Sequence, residues 1–205
     1  MTIALPRLYA IVDVGVNTGT DEVCAFAQDL SSGGVTLLQY RNKAGSARLI
    51  LEHAKELRRR LGNSVQLIMN DRADLCLAAG FDGVHVGQDD LSPEAVRRIV
   101  GDGFWLGVST HNPAQVRAAG QGCADYVAVG PVFATSSKAK PDPVIGLEGV
   151  RRARELSSRP LVAIGGITRA SCRSVIEAGA DSVAVISDLR DDPRKSAEEF
   201  LRLLR

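Results

Sequence analysis

The chain has 205 residues, 45% of them apolar and 24% charged, and a net charge of +1. That suits one compact domain over residues 1–205 with a sizeable core, and it excludes the basic footprint of a polyanion-binding protein and any membrane-length apolar run. Cys24, Cys76, Cys123 and Cys172 form no disulfide framework and no metal spacing, so free buried thiols in a reducing cytoplasm are expected.

Met1 to Leu8 lacks a basic segment followed by an apolar stretch, so no signal peptide is expected. Leu8–Val12 reads as a first strand, and Asp21–Ser31 as a first helix. The strand ends in Asp13-Val14-Gly15 and carries no Gly-x-Gly-x-x-Gly fingerprint of a dinucleotide-binding sheet. Val35–Gln39 reads as the second strand. After it, Gln39-Tyr40-Arg41-Asn42-Lys43 alternates in character, and at strand spacing Gln39, Arg41 and Lys43 face one side. An amide and two cations can hold an aromatic amine and a phosphate chain; they can also be a solvated loop. Helix Ser46–Leu61 contains His53, whose charged surroundings assign it to the surface.

Val65–Met69 reads as a strand ending in Asn70-Asp71, followed by helix Ala73–Ala79. Strand Gly83–Val86 holds His85, expected to be packed or lining, and Asp90 comes shortly after it. Two carboxylates from neighbouring strand ends can share one Mg²⁺, which takes few protein ligands. Taken alone, Asp71 could cap the next helix and Asp90 could bracket Ser92. Helices Pro93–Val100 and Pro113–Ala119 are announced by Ser92-Pro93 and Asn112-Pro113, each an N-cap side chain before a proline at the first helical position. Between them lies strand Phe104–Val108, followed by Ser109 and His111.

Tyr126–Val129 is the sixth strand. The segment after it, Phe133-Ala134-Thr135-Ser136-Ser137-Lys138 and on to Ile145, is long enough to be a lid, and its hydroxyls and lysine suit an anion. Helix Leu147–Leu156 leads to strand Leu161–Ile164 and then to Gly165-Gly166-Ile167-Thr168. Helix Arg169–Ala178 and strand Ser182–Ile186 follow, with Ser187 at the strand end, and helix Pro193–Leu204 closes the chain after Asp192. Barrels bind phosphate after these last two strands, through glycine-bearing loops.

The strands are nearly continuous apolar runs, as in a parallel sheet covered on both faces. Ala79-Gly80-Phe81-Asp82-Gly83-Val84 resembles Ala178-Gly179-Ala180-Asp181-Ser182-Val183, with Cys123-Ala124-Asp125-Tyr126-Val127 a partial third copy. Eight strand–helix units with recurrent junctions predict an α/β fold, a single (β/α)₈ TIM barrel with parallel strands. The polar residues at strand ends then converge at one mouth, as a metal-assisted pyrophosphate site would require.

Several ordered segments resemble the thiamine-phosphate synthase family across nearly the whole chain. They are Leu38-Gln39-Tyr40-Arg41-Asn42-Lys43, Asn70-Asp71-Arg72-Ala73-Asp74-Leu75, Gly83 to Leu91, Gly107-Val108-Ser109, Gly130 to Thr135, Ala163 to Ile167 and Val185-Ile186-Ser187. The resemblance implies a cytoplasmic transferase of thiamine biosynthesis. It would join hydroxymethylpyrimidine pyrophosphate to a thiazole phosphate, either plain or carboxylated, and release pyrophosphate through a pyrimidine carbocation. It implies that Gln39, Tyr40, Arg41, Asn42, Lys43, Asn70, Ser109 and Lys138 bind the pyrimidine pyrophosphate, with Arg41, Lys43, Ser109 and Lys138 catalytic. Asp71 and Asp90 would hold one Mg²⁺. Thr135, Ser136, Ser137, Gly166, Ile186 and Ser187 would bind the thiazole phosphate.

One departure is Ser136, where the family often has proline. The rival readings are a thiazole tautomerase, which has a histidine where this chain has Pro131 after Gly130, and a non-catalytic thiamine-phosphate-binding barrel. Small-molecule substrates are the expected partners, with no nucleic acid and no membrane; a homo-oligomer is compatible with the sequence.

Overall fold

A computed structural model describes residues 3–15, 18–135 and 142–205. Eight strands close into one barrel in sequence order, and every neighbouring pair is parallel. The strands are β1 (Leu8–Asp13), β2 (Leu37–Arg41), β3 (Gln66–Asn70), β4 (Gly83–Val86), β5 (Trp105–Thr110), β6 (Tyr126–Val129), β7 (Leu161–Ile164) and β8 (Ser182–Val185). The helices are α1 (Thr20–Ser32), α2 (Ala47–Leu61), α3 (Ala73–Ala79), α4 (Pro93–Val100), α5 (Pro113–Gln121), α6 (Gly146–Leu156), α7 (Cys172–Glu177) and α8 (Pro193–Leu203). The predicted (β/α)₈ architecture is borne out. Among the described residues no helix is long and apolar enough to cross a membrane.

The period-two alternation of the strands sorts their side chains into two cores. The larger lies between barrel and helices and includes Leu38, Tyr40, Leu67, Val84, Val127 and Val183. The smaller fills the barrel and includes Tyr9, Ile11, Leu37, Ile68, Tyr126, Ala128, Val162 and Ala184. Helix starts follow the capping chemistry. Ser46, Ser92, Asn112 and Asp192 each accept a hydrogen bond from the backbone N–H three residues on, at 3.3, 3.3, 3.0 and 3.3 Å.

The recurrent junctions turn out to be clamps under the barrel. Asp82, Asp125 and Asp181 each sit one residue before a strand, and each carboxylate accepts from a backbone N–H of the preceding strand or its edge: Leu67 at 2.7 Å, Leu106 at 2.8 Å and Leu161 at 2.8 Å. Each is also held by an arginine two helices back, Arg58, Arg97 or Arg154, at 2.5, 2.7 and 2.9 Å. Helix, strand edge and turn are thereby joined at three of the even-numbered strands. Before β2 the corresponding position is Thr36.

Several element boundaries and one burial assignment need correction; the fifth strand runs Trp105–Thr110, not Phe104–Val108, so Ser109 lies within it. The second strand runs Leu37–Arg41, not Val35–Gln39, so Arg41 is itself a strand residue in register with Asp13. The seventh helix begins at Cys172, not Arg169. Thr168 and Ser171 close a turn on each other there, and Arg169 is drawn to Asp188 and Glu199 at 3.1 and 2.6 Å. His53 is fully buried, not at the surface. It falls on the stripe of Ile50, Ala54, Leu57 and Leu61, which packs α2 on the barrel.

All four cysteines are free; Cys24, Cys76 and Cys172 are buried, and Cys123 is partly so.

Candidate active site

The C-terminal ends of the strands form the mouth, where a (β/α)₈ barrel places its chemistry. On one side β1 to β5 deliver Asp13, Gln39, Arg41, Asn70 and Ser109, and the adjoining loops deliver Lys43, Asp71 and Asp90. Inward alternation explains the strand residues. Tyr9, Ile11 and Asp13 alternate on β1, and Leu37, Gln39 and Arg41 on β2. The Arg41 guanidinium is paired with Asp13, whose carboxylate fixes its direction. Sequence reasoning missed Asp13, although its spacing from Tyr9 and Ile11 is the signal that could have found it.

Asp71 does not cap α3: the N-cap position is Arg72, with no side-chain cap. The Asp71 backbone is instead left-handed, with φ 61°, and its N–H donates to the His85 carbonyl at 2.8 Å. Aspartate is among the few residues that tolerate that conformation, which costs most others about 1–2 kcal/mol. Asp71 Oδ2 lies 3.3 Å from Lys43 Nζ. Burial, then the hydrogen bond and charge of Asp90, push the Asp71 pKa up to about 6 against the pull of Lys43. Asp90 Oδ2 accepts from the Gly87 N–H at 2.8 Å, which holds it in place.

Two carboxylates near enough to share a proton can share a cation instead. Among the described residues no group of three or more such ligands exists. A pair suits Mg²⁺, which binds through one or two carboxylates and fills its other positions with water and phosphate oxygens.

Tyr40 and Asn42, grouped by sequence with the substrate-binding residues, are not brought to the mouth. They lie on the opposite face from Gln39 and Arg41. The Tyr40 hydroxyl bonds His53 Nδ1 at 2.8 Å and accepts from Asn42 Nδ2 at 3.3 Å. Asn42 Oδ1 also accepts from the Ala44 and Gly45 N–H groups at 3.2 and 2.7 Å, which shapes the loop that carries Lys43. Burial pushes the Tyr40 pKa up to about 12 and lowers that of His53, so both stay neutral.

Below the mouth, Gln39 and Ser109 are connected through the barrel. Gln39 Nε2 donates to the Tyr9 hydroxyl at 2.9 Å, which meets the Tyr126 hydroxyl at 3.0 Å. The Tyr126 hydroxyl meets His85 Nδ1 at 3.0 Å, and His85 Nε2 lies 2.8 Å from Ser109 Oγ. His85 is therefore the packed, lining histidine that the sequence suggested; Tyr9 and Tyr126 were not anticipated. His111 pins the loop after β5 to the Gly130 carbonyl at 2.7 Å and lies 3.6 Å from Asp142.

Across the mouth, the loops after β6, β7 and β8 lock together. Val132 N–H donates to the Ile164 carbonyl and Phe133 N–H to the Gly165 carbonyl, both at 2.9 Å. Gly166 has φ 63°, and a Cβ there would lie 2.4 Å from the Ala134 carbonyl oxygen. Gly166→Ala is expected to destabilise the protein by about 1–3 kcal/mol and to push the Ala134–Thr135 segment outward. Thermal melts would check it; an unchanged melt would count against the close packing. The Asp188 carboxylate accepts from the Arg169 N–H at 2.7 Å and holds the turn that carries Ser187. Ile186 packs on the inner core, and Thr135 is partly buried. Ser136, Ser137 and Lys138 lie outside the described residues.

A groove of about 520 Å³ also opens beside Asp90 and runs between α4 and α5, past Glu94, Gln115 and Cys123. It lies outside the barrel, whereas the converging charges lie at the mouth, so the mouth is the better candidate for chemistry.

The profile of the family described as thiamine monophosphate synthase matches residues 8–189. The thiamine-phosphate synthase of Koribacter versatilis is 62% identical over 203 residues, covering 98% of this chain and 96% of that protein. That of Chloroflexus aurantiacus is 44% identical over 203 residues, with 97% and 92% covered. Among solved structures, the thiamine phosphate pyrophosphorylase from Pyrococcus furiosus superposes with a TM-score of 0.85 at 32% identity, covering 97% and 95% of the two chains.

Proposed function

We infer how this site works from one premise: the chain belongs to the thiamine monophosphate synthase family. It is a transferase that joins hydroxymethylpyrimidine pyrophosphate to thiazole phosphate, giving thiamine phosphate and pyrophosphate. The observation that carries the mechanism is the Asp71 carboxyl set between Lys43 and Asp90, and pushed up to about 6 by burial and by Asp90.

Asp71 and Asp90 would hold one Mg²⁺, which when bound neutralises charge on the pyrophosphate leaving group. Arg41, held by Asp13, and Lys43 and Asn70 line that side and take the pyrophosphate oxygens, with Lys138 from the loop after β6 as a further cation. Gln39 orients the aminopyrimidine, and Ser109 faces the same substrate. On the opposite side Thr135, Gly166, Ile186 and Ser187 would hold the thiazole phosphate, with Ser136 and Ser137 assigned to it by the family resemblance alone.

The C–O bond to pyrophosphate breaks as its charge is stabilised, and the electron-rich ring supports the cation left at the methylene carbon. The thiazole nitrogen attacks with its free lone pair and needs no general base. The reaction therefore asks for no nucleophilic cysteine or basic histidine. The barrel supplies orientation of two flat rings and exclusion of water that would trap the cation. The tautomerase reading is less well supported, because Pro131 follows Gly130 and the carboxylate pair is intact.

The test is pyrophosphate release by purified protein given both substrates, with Mg²⁺ and with EDTA. Release that needs both substrates and metal is expected. Release unaffected by EDTA would remove the metal from the reading, and isomerisation of the thiazole phosphate alone would favour the tautomerase.

A further inference from the structure

The barrel interior is almost wholly apolar, yet five polar groups run through it in one unbroken line: Gln39, Tyr9, Tyr126, His85 and Ser109. They come from β2, β1, β6, β4 and β5, so no local sequence feature accounts for the line. Four of the five residues are buried, at 3% exposure for Gln39, 1% for Tyr9, 0% for Tyr126 and 7% for His85. Buried polar groups without partners are costly, so each must give or receive a hydrogen bond within the line.

β5 has made room for it. Gly107 faces inward two residues below Ser109 and is in register with Tyr126. A Cβ on Gly107 would lie 2.3 Å from the Tyr126 hydroxyl oxygen. A side chain there would push that hydroxyl off the barrel axis, away from both Tyr9 and His85.

Read from the Gln39 amide, one direction of donors satisfies every link. Gln39 Nε2 donates to the Tyr9 oxygen. A phenol carries one proton, so a line in which no proton is left unpaired has Tyr9 donating to Tyr126 and Tyr126 to His85 Nδ1. His85 thus takes part as a neutral ring, with one nitrogen accepting and the other donating. With Nδ1 accepting, its proton is on Nε2, which donates to Ser109 Oγ. Ser109 then has its own proton left to give at the mouth. At the other end, Gln39 has committed its NH₂ to Tyr9 and turns its carbonyl oxygen outward.

We propose that Tyr9, Tyr126 and His85 are positioning residues: a one-way hydrogen-bond chain through the barrel that fixes Gln39 as an acceptor and Ser109 as a donor at the mouth. The proposal rests on the synthase reading and deepens it. An acceptor at Gln39 selects a ring bearing an exocyclic amine and rejects one bearing a carbonyl at that position. A donor at Ser109 selects the anionic diphosphate arm. Both ends of one substrate are read by a single chain, so loss of any link unsettles both.

Two measurements test this, the first without any turnover. In ¹⁵N NMR of histidine-labelled free protein, His85 is expected to be neutral with its proton on Nε2, and Tyr126→Phe is expected to leave a mixture of tautomers. In single-turnover pyrophosphate release, Tyr9→Phe and Tyr126→Phe are each expected to be slower by roughly tenfold, the scale of one lost hydrogen bond. The double variant is expected to be no slower than the worse single variant, because both cut the same chain.

A proton on Nδ1 in the wild type overturns the proposal. So does a double variant whose losses multiply, or singles that melt lower while releasing pyrophosphate at the wild-type rate. If the wild type itself releases no pyrophosphate, the synthase reading fails, and the His85 tautomer still decides whether the chain exists.

Discussion

Asp71→Asn is expected to cost roughly a hundredfold in Mg²⁺-dependent turnover while leaving the barrel folded. The backbone bond from the Asp71 N–H to the His85 carbonyl does not involve the side chain, and asparagine tolerates the left-handed φ of 61° as aspartate does. Asp71→Ala should lose as much activity and also about 1–2 kcal/mol of stability, because alanine is strained there. Comparing the two separates the carboxylate's chemistry from its backbone role. Pyrophosphate release at the wild-type rate in either variant would remove Asp71 from the metal site. In Asp71→Asn, where the backbone stays unstrained, removing one of two opposed carboxylates should also raise the melting temperature of the metal-free protein.

The pH dependence follows from the same pair. Asp71 titrates near 3.8 unfolded and about 6 folded. Between those values the folded protein binds the extra proton, so this group's contribution to stability is full below the lower value and is lost as pH rises through the upper one. A divalent cation replaces that proton. Mg²⁺ should therefore raise the melting temperature at about pH 7.5 and do so much less at about pH 5, where the proton competes. An equal Mg²⁺ shift at both pH values would refute the assignment. His85 does not confuse the window, because it stays neutral down to about pH 4.

The fold was legible because barrel strands must be apolar on both faces and because caps and prolines mark helix starts. Ser92-Pro93, Asn112-Pro113 and Asp192-Pro193 begin helices as their chemistry dictates. The convergence of the candidate residues was legible in outline, since polar residues at strand ends have few other reasons to interrupt such runs. Finer placement failed where one periodicity was not followed through. The alternation that sends Gln39 and Arg41 inward must send Tyr40 and Asn42 outward. The helical stripe through Ile50 and Leu57 passes through His53. Contacts between distant strands lie beyond any local pattern: nothing near Tyr9 announces Tyr126, 117 residues away. Arg41 and Asp13 could be matched only once β1 and β2 were in register.

The recurrent aspartate before a strand carries the second large effect, at the end of the barrel away from the chemistry. Of the three clamps, Asp125 is the most enclosed: its side chain is 16% exposed, against 31% for Asp82 and 47% for Asp181. Its partner Arg97, 14% exposed, also donates to the carbonyls of Gly101, Phe104 and Cys123 at 2.9, 2.7 and 3.0 Å. Asp125→Ala strands that guanidinium and leaves the Leu106 N–H without its carboxylate. Breaking a largely buried pair from one side costs about 3 kcal/mol, so the melting temperature should fall by roughly 6–12 °C in a chain of this size. Asp181→Ala should cost less, because water can replace a half-exposed carboxylate. Turnover per folded molecule should be unchanged in both, since the clamps lie under the strands, at the opposite end of the barrel from the proposed site. A loss in Asp125→Ala no greater than in Asp181→Ala would show that burial does not set the strength of the clamp. Slower turnover in fully folded protein would show that the two ends of the barrel are coupled.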